Sequence, residues 1–137
     1  MNRSEFKKLA KIRLREAEAL FATKNYSGAY YLCGYVVECG LKACIAKQTK
    51  RYEFPDKRLA DDSWTHDLTK LVKTAELLGS LDQETKVDPI FSNNWNTVKD
   101  WSEQSRYKKN SNAEAISLIT AITDEFHGVL KWIEQHW

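Results

Sequence analysis

The sequence predicts an all-α fold: an up-and-down bundle of about five helices, forming a single domain over residues 1–137. Three observations carry that expectation. Apolar residues recur at spacings of three and four along most of the chain, and no run alternates as a half-buried strand does. Each periodic run opens near a capping residue and is followed by a turn. At 137 residues, with 42% hydrophobic and 29% charged side chains, the chain has the make-up of one globular domain large enough to bury a core.

The elements follow in order. Asn2 with Glu5 is a capping-box pattern, and Phe6, Leu9, Ala10, Ala17, Leu20 and Phe21 stripe a first helix over about 3 to 22. "TKNYSG" is a short turn with Asn25 as cap of a second helix, so the first two helices form an antiparallel hairpin. "QTKRYEFPDKRLADDSWT" is polar, contains Pro55, lacks a clear period, and reads as a long loop. Thr65 caps a third helix carrying Leu68, Leu71, Val72, Ala75 and Leu78, with Gly79 ending it. Ser80 with Gln83 caps a fourth, which Pro89 restarts or kinks near Asp88 before Ile90, Phe91, Trp95, Val98 and Trp101. After the break "EQSRYKKNSN", Ser111 with Glu114 opens a long final helix striped by Ile119, Ile122, Phe126, Val129, Ile133 and Trp137.

Composition excludes several classes. Cys33, Cys39 and Cys44 share one helical stretch, and the outer two lie about 16 Å apart along it, beyond disulfide reach. They match no zinc spacing, so they read as small apolar residues of a reducing compartment, with no metal expected. No run approaches the roughly 18–20 apolar residues of a membrane span, and the N-terminus has no signal-peptide core. The expectation is a cytoplasmic protein that does not enter a membrane. No glycine-rich phosphate loop, paired-carboxylate site or serine triad is present, and no cofactor is expected. Net charge is +2, divided into +7 over residues 1–58 and −5 over 59–137, a mild attraction of the first half for phosphate.

The stretch "NYSGAYYLCGYVVECGLKACIAK" is the most informative. On a wheel of about 100° per residue, Ala29, Cys33, Val36, Val37, Gly40 and Cys44 form one small-residue side that admits close helix packing. Opposite run Ser27, Tyr31, Tyr35, Glu38 and Lys42. Glu38 precedes Lys42 by four, the favourable orientation for a helical ion pair. That face is either a helix-surface ion pair or a semi-buried polar face at a dimer seam or ligand cleft.

"YSGAYYLCGYVVECGLKACIAK", "HDLTKLV" and "VKDWSEQSRY" closely resemble segments of bacterial and archaeal HEPN domains (higher eukaryotes and prokaryotes nucleotide-binding). "IRLREAEALFATKNY" and the terminal "VLKWIEQHW" fit the same pattern, so the resemblance covers nearly the whole chain. It implies a homodimeric helical bundle that binds RNA or nucleotide. It also implies a partner, a minimal nucleotidyltransferase, in a toxin–antitoxin, stress or phage-defence setting. Many such domains are metal-independent ribonucleases, with an arginine and a following histidine brought into one cleft by the dimer.

Arg106 matches the arginine, with Tyr107, Lys108 and Lys109 beside it as candidate phosphate and base contacts. The window that follows, "YKKNSNA", holds no histidine. The resemblance therefore favours a binding module over a ribonuclease with an atypical site. His66, beside Asp67 at the start of the third helix, is the imidazole that would replace the missing base if the fold or a second subunit brought it to Arg106. Trp95, Trp101, Trp132 and Trp137 are expected in the core or a dimer contact.

Overall fold

The computed structural model describes residues 1–49, 54 and 56–137, so the expected loop around Pro55 lies partly outside the described residues. Eight α-helices and one 3-10 helix are present among them, with no strand. They are α1 (Arg3–Ala22), α2 (Tyr26–Ala46), α3 (Lys57–Ser63), α4 (Leu68–Thr74), α5 (Leu78–Val87), α6 (Pro89–Lys99), the 3-10 helix (Glu103–Tyr107), α7 (Asn112–Thr123) and α8 (Val129–Glu134). The fold is a helical bundle, with more and shorter helices than the five expected.

The N-terminal hairpin forms as its sequence indicates. Asn2 and Glu5 close a reciprocal capping box at the start of α1. Lys24, in left-handed conformation at φ 64°, ends it, and the Asn25 amide donates back to the Leu20 carbonyl at 2.8 Å. Asn25 holds the cap position of α2 but makes no forward capping bond; its side-chain amide donates to Thr23 Oγ1 at 2.8 Å instead. Ala10 and Ala17 are the buried residues of α1, and their small size lets it lie close against α2.

Helix α2 is the axis of the bundle. It packs against α1, α3, α4, α7, α8 and the 3-10 helix, which explains why it is apolar round most of its circumference. Ala29, Cys33, Val36, Val37, Gly40 and Cys44 all lie in the core. Gly40 admits Ile133: a Cβ there would sit 2.9 Å from its Cγ2 atom. Gly34 admits the indole of Trp101, which a Cβ would meet at 1.9 Å. Around this axis Leu41, Leu68, Leu71, Phe91, Leu118, Ile122 and Ile133 are fully buried, each worth about 1.5–3 kcal/mol of transfer free energy.

Four differences from the sequence expectations have local causes. The polar stretch after α2 contains α3, whose N–H groups at Arg58 and Leu59 are met by Asp56. Thr65 does not cap α4; it accepts from the Asp67 N–H, and Asp67 caps the helix through Lys70 N. Glu76 at φ 61°, not Gly79, ends α4, while Gly79 and Ser80 lie in the first turn of α5. Ser80 turns inward, accepting from Trp132 Nε1 at 3.1 Å and lying 3.2 Å from His136 Nε2. Pro89 does open a new helix, at N1 of α6 behind the Asp88 cap.

The expected long last helix is broken in two. Asp124 takes the Phe126 and His127 amides on its carboxylate at 3.0 and 2.7 Å, a local turn that outcompetes the helical bond. Gly128 then enters α8 in extended conformation. Phe126, placed on the buried stripe by periodicity, is 80% exposed.

His127 Nδ1 donates to Asp88 Oδ2 at 2.6 Å, tying this break to the start of α6. That bond raises the His127 pKa above its ordinary 6.5 and holds Asp88 below its ordinary 3.8. The stabilisation is therefore full between about pH 4 and 6.5. It is lost as pH rises through the raised His127 value, and as pH falls through the lowered Asp88 value. His127→Ala is expected to flatten the denaturation midpoint against pH above pH 6.5, measured in urea from pH 5 to 9. Gly34→Ala drives a methyl into the Trp101 ring and is expected to cost about 1–3 kcal/mol in the same titration at fixed pH.

Candidate functional site

The site grows from the one carboxylate that α2 buries. Glu38 is 4% exposed, and an ionised carboxylate taken from water needs donors on it. It has two. His66, at the entrance to α4, lies with Nδ1 2.5 Å from Glu38 Oε1. Lys42, one turn on along α2, stands with Nζ 3.8 Å from Oε2. A carboxylate accepts only, so Nδ1 is the donor, and the neutral ring carries its free lone pair on Nε2. The side chain of His66 is about half exposed, so that edge has access to water.

One turn back from Glu38 stands Tyr35, its ring edge-to-face with His66 at 6.0 Å between centroids and with Trp101 at 5.1 Å. The Tyr35 hydroxyl meets that of Tyr31 at 3.2 Å. Burial, then the Tyr31 hydroxyl and the nearby Glu38 charge, push the Tyr35 pKa well above the ordinary phenol value, against the pull of Arg106. Tyr35 thus stays a neutral donor at any physiological pH.

Arg106 arrives from the 3-10 helix. Its guanidinium lies over the Tyr107 ring at 4.8 Å, and Tyr107 first, then Tyr31, raise its already high pKa. Trp101 anchors the start of this segment against Gly34. Its far side is tied to α2 by Asn110 N donating to Ser27 Oγ at 2.9 Å. Trp101 Nε1, Ser105 Oγ and Asn110 Oδ1 are buried without a hydrogen-bond partner, so packing rather than polar pairing holds the segment between them.

The sequence-predicted residues thus divide. Tyr31, Tyr35, Glu38, Lys42, His66 and Arg106 form one connected group. Tyr107, Lys108 and Lys109 are exposed beside it, and the Tyr107 ring lies under the Arg106 guanidinium. The helix N-terminus after Arg106 offers phosphate little, because Glu114 already occupies it: Ser111 N donates to Glu114 Oε1 at 3.1 Å, and these bonds hold the Glu114 pKa below its ordinary value. Trp95, Trp101 and Trp132 are buried, and Trp137 is partly so. Gly34 and Ser27, which set the approach of the Arg106 segment, carry no signal in the sequence beyond their place on α2. Among the described residues no group of three or more His, Cys, Asp or Glu is placed to hold a metal, and no helix is long and apolar enough to cross a membrane.

The family model of the HEPN domain matches residues 4–135. The chain belongs to the HEPN family. No curated protein and no solved structure matches it. Within this HEPN domain the arginine of the resemblance stands on the polar face of α2, and the imidazole sharing that face comes from the α4 entrance rather than from the residues after the arginine.

Glu38→Leu removes the acceptor of His66 and leaves Lys42 without a counter-charge. It is expected to lower stability by about 1–3 kcal/mol in chemical denaturation, the half-exposed histidine softening the loss. Long-range ¹H–¹⁵N spectra at high pH should show the Nδ1–H tautomer of His66 in the parent protein and a mixture in the variant.

Proposed function

We propose that this HEPN domain binds RNA or a nucleotide on the face formed by Arg106, Tyr31, Tyr35 and His66. One observation carries the reading: a permanent guanidinium, two tyrosine hydroxyls and an oriented imidazole converge on one exposed patch of an otherwise apolar helix. A guanidinium is suited to grip phosphate oxygens in pairs, and neutral hydroxyls add donors without repelling the anion. Tyr107, 74% exposed beside Arg106, supplies a ring for base stacking. Lys108 and Lys109 extend positive charge along the path a phosphate backbone takes. Family membership supports a homodimer whose two faces make one cleft, working with a nucleotidyltransferase partner in a toxin–antitoxin, stress or phage-defence role.

A second reading, a metal-independent ribonuclease, is favoured by the Glu38–His66 bond. With Nδ1 held by a buried carboxylate, Nε2 is oriented to take the proton of a ribose 2′-hydroxyl. The oxygen attacks phosphorus, the bond to the 5′-oxygen breaks, and that oxygen takes up a proton, leaving a 2′,3′-cyclic phosphate. Arg106 would hold the charge developing on the phosphorane.

Anisotropy of a labelled oligoribonucleotide across a salt series tests the first reading. Saturable binding that weakens with salt and falls about tenfold or more in Arg106→Ala is expected; an unchanged variant removes the site. Incubation with RNA in EDTA tests the second. Cleavage lost in both Arg106→Ala and His66→Ala supports it, and intact RNA with folded, RNA-binding parent protein removes it.

A further inference from the structure

Behind the candidate site lies a cavity of about 880 Å³, bounded by the first turns of α1, the end of α2 and α3. Phe6, Ile45 and Leu59 make its wall apolar, and Arg3, Lys42 and Lys47 bring three cations to it. Glu5, the acid among its described lining residues, is spent on the Asn2 N–H at 2.8 Å. Arg3 and Lys47 reach backbone carbonyls at the C-terminal end, Trp137 at 2.5 Å and His136 at 3.4 Å.

Lys42 differs from the other two. Its side chain is only 18% exposed, and its one carboxylate contact among the described residues is Glu38 at 3.8 Å. Charge-assisted bonds of this kind close to about 2.7–2.9 Å when fully made. An ammonium has three donors, and most of the capacity of this one is unspent. A largely buried cation with donors to spare, at the edge of an apolar cavity of ligand size, is the pattern of a small-molecule site whose polar group fixes the head of an apolar ligand.

We infer that this cavity binds a single-chain carboxylate, its head on Lys42 and its aliphatic chain against Phe6, Ile45 and Leu59. Arg3 and Lys47 are exposed and turned to backbone carbonyls, so Lys42 is the one largely buried cation of the described lining, and one such ammonium suits a singly charged head; Asn2, Thr49 and Ser63 are the uncharged polar side chains beside it. The ligand is also wired to the candidate site. Glu38 divides its two oxygens between Lys42 and His66, so an anion that draws Lys42 away changes the charge felt at His66 through one shared carboxylate. The binding site itself does not rest on the RNA reading, since its occupancy is measured without RNA.

Calorimetric titration with dodecanoate below its micellar concentration is the test, with 1-dodecanol as the neutral control. Saturable, near-stoichiometric binding is expected, about tenfold or more weaker for the alcohol and for Lys42→Met. Ala60→Trp, which places an indole in the cavity from its rim, is expected to abolish binding while leaving the helical circular dichroism unchanged. The ring-proton resonances of His66 should shift on titration in the parent protein and stay fixed in Ala60→Trp. Absence of saturable binding to the folded parent overturns the inference. So does binding equal for acid and alcohol and indifferent to Lys42→Met, which would reduce the cavity to a non-specific apolar hollow.

Discussion

The burial of α2 on nearly every side is the constraint from which the rest follows. A helix surrounded by six other elements must be slim, and the glycines, alanines, cysteines and valines of α2 meet that demand. Slimness at Gly34 lets Trp101 in, and Trp101 brings the Arg106 segment against Tyr35. Slimness at Gly40 lets Ile133 in and seats the C-terminal helix. The site is thus a by-product of how closely the neighbours approach.

Glu38 sets the chemistry within that frame. A charge on so buried a helix is stable only with donors of its own, and it draws one from its own helix and one from the chain after α3. The same carboxylate therefore holds a histidine ring at the entrance to α4 and a lysine on α2. Removing it releases both at once.

Some of this was legible in local signals, although the caps read at Thr65 and Ser80 and the stop read at Gly79 did not form. The capping boxes at Asn2–Glu5 and Ser111–Glu114 and the Asp88–Pro89 restart span four residues or fewer, and each appears where the residues place it. Helix α3 was not legible because it buries no residue and so leaves no apolar period. The break at Asp124 was hidden because the apolar stripe runs on in phase across it. In the site, Glu38 and Lys42 could be paired from their spacing. The bond from Glu38 to His66 crosses 28 residues, and only the packing of α4 on α2 decides it.

The central place of α2 also bears on how the chain is made. Synthesis runs from the N-terminus, so α1 and α2 can pair while Trp101, Leu118 and Ile133 are still untranslated. In that interval one side of α2 is covered and the rest of its apolar circumference faces solvent. Contacts as distant as Arg3 with Trp137 close last, and ordering so long a loop is slow relative to hairpin formation. The apolar surface of α2 is thus most open to other chains after α2 has been made and before Trp101, Leu118 and Ile133 have followed it.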